Sequence, residues 1–273
     1  MSSSVARCVA SGCLLLATLA ACKGPTSTHA AGERAASSAD VSGLGFAKTE
    51  QADASVAATV AATPERPALV RTLNVPRASQ SLTPSAHFDI DFWGAAVNTH
   101  TLLDSAGKGA VPVSEARFLW GHDQLYVAFY AGDLDLEVHE KAHDGPLWKD
   151  DSVTLSFFSP DGKKRMISAS PTGVLADAMC PADAKNWGDA RCDVHWESHA
   201  RIGVDYDGTL NKLGDFDEEW NIQFAIPLRS LGVPASAGTR LAFTVNRCDI
   251  AFDGQRACGA WGSSEAPGEL LLE

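Results

Sequence analysis

The chain predicts an all-β fold, a two-sheet antiparallel β-sandwich of jelly-roll type, preceded by a disordered N-terminal tether. Three observations predict it. Short segments alternate apolar and polar residues with period two: Val153, Leu155 and Phe157 share one face, and Thr154, Ser156 and Phe158 the other. Turn-forming residues return roughly every eight to twelve positions, which suits a sandwich of about ten strands. Few stretches carry helical periodicity. The C-terminal part, roughly 190 residues, is long enough to bury one core.

Taken in order, His87 to Trp93 alternates, with Phe88, Ile90 and Phe92 on one side, and is predicted as the first strand, with Trp93 in the core. Residues 115–131 read as two strands joined at Gly121-His122-Asp123-Gln124. Asp133, Asp135 and Glu137 follow at odd spacing, which puts three carboxylates on one face if the strand continues. Gly145-Pro146 marks a loop that leads to Trp148 and then into the strand from Val153 to Phe158. A hairpin is predicted over 164–177, turning at Ser170-Pro171-Thr172-Gly173. Residues 178–192 form a longer loop that contains Trp187. Residues 194–206 alternate through Val194, Trp196, Ser198, Ala200 and Ile202. Strands near 219–226, 239–249, 255–262 and 268–272 complete the set.

The N-terminus reads as an export signal. Arg7 precedes an apolar run from Cys8 to Ala21, short for a transmembrane helix. The run ends in Leu19-Ala20-Ala21-Cys22, which fits the bacterial lipobox, with cleavage before a cysteine that becomes lipid-modified, palmitate being a representative acyl group. The expected organisation is a signal peptide over 1–21, a lipidated Cys22 and flexible linker over 22–75, and the sandwich over 76–273. The linker assignment rests on an Ala-, Ser-, Thr-, Gly- and Pro-rich composition without periodicity. Lys23 rather than aspartate after Cys22 points to the outer membrane or cell surface of a bacterial envelope. Of the seven cysteines, Cys180, Cys192, Cys248 and Cys258 lie beyond the linker. In an oxidising compartment they predict two disulfides. Cys180–Cys192 and Cys248–Cys258 is the favoured pairing, because each pair brackets a short loop or hairpin. A four-cysteine zinc site is the rival, and it lacks the paired C-x2-C spacing zinc prefers.

Charge and motifs narrow the function. A net charge of −12 argues against nucleic acid, which needs a Lys/Arg surface. The nucleophile elbow, the phosphate-binding loop, the zinc-protease helix and the dinucleotide fingerprint are all missing from the sequence. Carboxylates are plentiful, but none stands isolated in an apolar run where its pKa would rise into the range of a glycosidase acid. A non-enzyme is expected. Trp148, with Asp150 and Asp151 just behind it at a strand mouth, is the candidate binding plate, because a flat aromatic beside polar groups suits a sugar ring. The alternative is that Trp148 caps the core.

Four segments carry a resemblance. Trp148-x-x-Asp151-Ser152-Val153 resembles the W/Y-x-x-D-S-V-E core of family 9 carbohydrate-binding modules and the related DOMON-like sandwiches. The stretch from Ala116 to Phe129 resembles that family's hairpin, Glu219 to Pro227 its W-x-v-E-x-a-I-P strand, and Leu241 to Arg247 its strand closing in N-R. The resemblance covers roughly residues 84–273. It implies glycan or polysaccharide binding, in support of carbohydrate catabolism. In the family two tryptophans sandwich a terminal sugar while charged and amide side chains hold its hydroxyls. Trp148 matches the first plate, and Arg165 is a loose match to an arginine of the next strand. Asp150 or Asp151 would accept hydrogen bonds or order the loop. Ala260-Trp261-Gly262 matches the strand that leads to the second plate, which makes Trp261 a candidate contact. The family's glutamate after D-S-V is Thr154 here, and the loop for the second plate is cut to Ser263–Pro267, so a second plate would have to come from Trp187 or Trp196. The resemblance also implies structural Ca²⁺, for which Asp133 and Asp135, with Glu137 behind them, are the hard-oxygen candidates; a solvated charged edge is the alternative. Two further readings stay open: haem held between the sheets through Met166 or Met179, and an envelope interaction domain without a sugar site.

Overall fold

The computed structural model describes residues 71–184, 187–212 and 214–273. The expected signal peptide, Cys22 and the linker up to residue 70 lie outside the described residues. The described residues belong to one compact unit. Among the described residues no helix is long and apolar enough to cross a membrane.

Two sheets make the sandwich. The larger runs β1 (Thr72–Val75), β12 (Gly268–Leu272), β10 (Arg240–Ile250), β5 (Ser152–Phe158), β6 (Lys163–Ala169) and β7 (Leu175–Pro181), with β11 (Arg256–Trp261) paired to the second half of β10. The smaller runs β2 (Val97–Asn98), β3 (Ser114–Gly121), β4 (Gln124–Gly132), β9 (Glu219–Pro227) and β8 (Arg201–Asp207). Pairing is antiparallel except between β1 and β12. The inward sides of both sheets interdigitate: Val153, Leu155 and Phe157 of β5 and Phe243 of β10 meet Phe118, Phe129, Trp220 and Phe224 of β3, β4 and β9. Phe118 meets Phe243 edge-on at 5.0 Å. Period-two alternation therefore decided this core as predicted.

Three elements differ from expectation. Residues 87–93 do not form the first strand. Asp89 accepts hydrogen bonds from the amides of Asp91 and Phe92 and caps a one-turn helix, α1 (Ile90–Trp93). Trp93 is buried as expected, its indole donating to Gln223 Oε1 at 2.9 Å. The first strand is instead β1, ahead of the expected boundary at residue 76, and it is recruited by parallel pairing to the last strand of the fold. The alternation across 194–206 becomes strand only from Arg201, where pairing with β9 begins; before it the amide of Ser198 donates to Asp177 Oδ2 rather than to a strand partner.

Both expected disulfides are present, Cys180–Cys192 and Cys248–Cys258. The second spans the directly opposed pair of β10 and β11.

Candidate functional site

The outward face of the larger sheet is polar where the inward face is apolar. Register stacks its side chains in rows. Asn246, Thr154, Ser168 and Ala176 are successive partners across β10, β5, β6 and β7, and Thr244, Ser156, Met166 and Ala178 form the next row. Thr154 Oγ1 and Ser168 Oγ lie 2.6 Å apart. A hollow of about 330 Å³ sits over these rows. That volume is at the small end for a ligand site and suits a short segment of a polymer.

Trp148 stands at one side of the hollow. It lies on a one-turn 3-10 helix, Leu147–Lys149, and is 46% exposed. Leu147 beside it is buried and anchors the turn. Asp150 and Asp151 hold the turn from behind. Asp150 Oδ2 accepts from the amides of His139 (2.9 Å) and Glu140 (2.6 Å). Asp151 accepts from the amides of Glu137 and Ile250, both at 2.7 Å. Both carboxylates are buried, so of the two roles expected for them they perform the second, ordering the loop.

Trp187 is a second aromatic at this hollow. It lines the same hollow from the loop after β7 and packs against Met166, Ala178, Cys180 and Ala184. The Cys180–Cys192 bridge closes that loop at its base. The sequence offered Trp187 and Trp196 equally as a second plate; Trp196 packs half-buried against the core instead.

Several expected contacts are placed elsewhere. Arg165 faces inward: it pairs with Asp161 at 2.7 Å, approaches Gly232 and is only 7% exposed. Its neighbour Lys164 faces the hollow, because adjacent strand residues point to opposite faces. Sequence reasoning missed Lys164, although its shared face with Met166 and Ser168 was legible. Trp261 is 4% exposed and stacks on Phe243 at 4.7 Å, so it is a core residue whose edge only borders an adjacent hollow of about 860 Å³. Thr154, standing where the family pattern has glutamate, is one of the hollow's hydroxyls.

The expected Ca²⁺ ligands Asp133 and Asp135 do not form a shared donor set. Strand β4 ends at Gly132, so the alternation does not extend through them. Asp135 Oδ2 turns to accept from the amide of Phe252 at 2.7 Å, and Glu137 Oε2 meets His139 Nε2 at 2.9 Å. Asp133 instead gathers with Asp151 and Asp249, one oxygen of each lying within 4.8 Å of the others. Arg247 Nη2 already bonds Asp133 and Asp249, each at 2.7 Å, and Trp220 Nε1 donates to Asp133 at 3.2 Å. With a guanidinium on two members and both oxygens of the third taken by amides, this set does not fit a resident Ca²⁺ ion. Burial pushes Asp133 up to about 6 against the pull of Arg247. Burial, then the charge of Asp133, pushes Asp151 up to about 8. For haem, Met166 lies on the outward face and not between the sheets, and Met179 sits half-buried on edge strand β7.

No protein-family profile matches the chain. No curated protein matches it either. Solved structures do. A Bacteroides uniformis protein described as a "putative carbohydrate-binding protein" superposes with a TM-score of 0.56 at 12% identity, covering 75% of this chain and all of that one. A family 9 carbohydrate-binding module of Caldicellulosiruptor kristjanssonii, solved with glucose, gives 0.50 at 15% identity, covering 74% of this chain and 96% of that one. The chain thus has the sandwich fold of family 9-like carbohydrate-binding modules.

Proposed function

We propose that this protein binds carbohydrate without transforming it, on the outward face of its larger sheet. The observation that carries this reading is that Trp148 and Trp187 line one hydroxyl-bearing hollow. Each indole face offers roughly 100 Å² of apolar surface, about 2.5 kcal/mol at roughly 25 cal/mol/Å². Net hydrogen bonds from Thr154, Ser156, Ser168 and Asn246 add about 1 kcal/mol each, against ordering costs. The result is an affinity on the order of 0.1 mM, useful at a surface dense with glycan. The binding modules of like fold support the reading.

The lipobox at Leu19–Cys22 supports a second part of the proposal: Cys22 carries lipid and tethers the domain to a bacterial envelope membrane, where it contributes to carbohydrate capture. Incorporation of labelled palmitate, lost in Cys22→Ser, tests the anchor. For the binding site, a glycan array followed by calorimetry on the best ligand tests the face: Trp148→Ala and Trp187→Ala should each weaken retention about tenfold or more. Unchanged retention in both variants would remove the site.

A further inference from the structure

The hollow between Trp148 and Trp187 has an unusual charge for this protein. The chain has 34 acidic residues against 22 basic, yet none of the residues lining the hollow is Asp or Glu, and two, Lys164 and Arg256, are cations. Among the described residues neither forms an ion pair. Lys164 is almost wholly buried, donates to the carbonyl of Ala184 and sits 5.9 Å from the ring of Phe158. The acids within its electrostatic reach are Asp183, Asp189 and Glu265. All three lie outside the lining, and Asp183 and Asp189 are themselves bound to Arg191, at 3.2 and 2.6 Å. Arg256 is exposed at the rim of the same hollow, on β11.

A buried ammonium whose hydrogen-bond partner among the described residues is one carbonyl has given up hydration for little return. A neutral hydroxyl can supply a dipole, whereas an anion supplies a charge and the stronger, charge-assisted bond. Burial pushes the Lys164 pKa down, and an anion in the hollow would push it back.

We infer that the saccharide taken by this face is anionic, a sugar ring bearing a carboxylate or a sulfate, with Lys164 and Arg256 as its counter-charges. The inference rests on the binding face proposed above and names the ligand class it takes.

The test is calorimetry on the purified protein with three probes of similar size: a neutral gluco-oligosaccharide, an oligogalacturonide and a sulfated chondroitin disaccharide. At least one anionic probe should bind about fivefold or more tighter than the neutral one, and the preference should shrink in about 0.5 M NaCl. The better of the two anionic probes identifies the acid group. Lys164→Met should abolish the preference. Arg256→Gln, on the exposed rim, should reduce it and keeps the test open if the buried replacement does not fold. Equal or tighter binding of the neutral probe overturns this inference and leaves carbohydrate binding standing. A preference unchanged in both variants also overturns it. Failure of all three probes to bind removes the anionic assignment and counts against the proposed function as well.

Discussion

Asp151 and Ile250 are joined by a 2.7 Å hydrogen bond that ties the start of β5 to the end of β10, while the other oxygen of Asp151 takes the amide of Glu137 at the same distance. One carboxylate thus fastens three segments behind Trp148. Asp151→Ala leaves two amides without their acceptor, at about 1–3 kcal/mol each. Urea unfolding should show that loss. Any glycan affinity should fall further than stability alone accounts for, because the turn bearing Trp148 loses its support.

The same cluster should make the fold less stable as pH rises. Asp133, Asp151 and Asp249 all hold their protons more tightly folded than unfolded, where Asp titrates near 3.9. Their contribution is therefore complete below that value and is lost as pH rises through about 6 for Asp133 and about 8 for Asp151. A urea midpoint that falls between about pH 5 and about pH 9 is expected. A midpoint that climbs over that interval would contradict the buried cluster.

Arg247 does for this cluster what a metal does elsewhere. Calcium or a chelator should leave the melting temperature within about one degree, since a ΔΔG of 1 kcal/mol would shift it by several. Arg247→Met leaves two buried carboxyls, Asp133 and Asp249, without their cation and should cost about 3–5 kcal/mol. A chelator-induced drop in the wild-type melting temperature would reinstate the metal.

Removing the Cys180–Cys192 bridge should loosen the second plate. The bridge closes a loop with a sequence separation of 12. For a loop near that size the chain-entropy contribution is about 3 kcal/mol. The paired Cys180→Ser, Cys192→Ser variant should be cut by protease within 181–192 and should lose glycan retention as Trp187→Ala does. Retention that survives the cut would show that Trp187 is not a contact.

Trp261 and Gly268 form a tight pair in the core. A Cβ on Gly268 would fall 1.7 Å from the Trp261 ring. Gly268→Ala should destabilise by about 1–3 kcal/mol or more through overpacking, and circular dichroism melts would read it. Its glycan affinity per folded molecule should not change, which separates Trp261 from the binding face.

Much of this was legible in the sequence because strand alternation is a direct record of the two faces of a sheet. Val153, Leu155 and Phe157 against Thr154 and Ser156 were correctly divided, and the spacing of the cysteines was enough to favour the right bridges. What could not be read depends on where alternation stops. Residues 87–93 alternate equally well on paper, but Asp89 caps a helical turn there. Asp133 and Asp135 fall just past the end of β4, where odd spacing no longer means a common face. A loose match to the family's arginine put Arg165 at the site, whereas its neighbour Lys164 lines the hollow, and in a strand one residue is a change of side. Trp187 lies in a loop, whose path no periodicity describes.

The parallel pairing of β1 with β12 has a spatial consequence. The chain joins its larger sheet at one margin, and the loop bearing Trp187 leaves from the strand at the opposite margin. From β1 to β6, which carries Lys164, is four strand steps, roughly 19 Å. The strand that opens the described chain and the strand that leads to Trp187 thus form the two outer margins of one sheet.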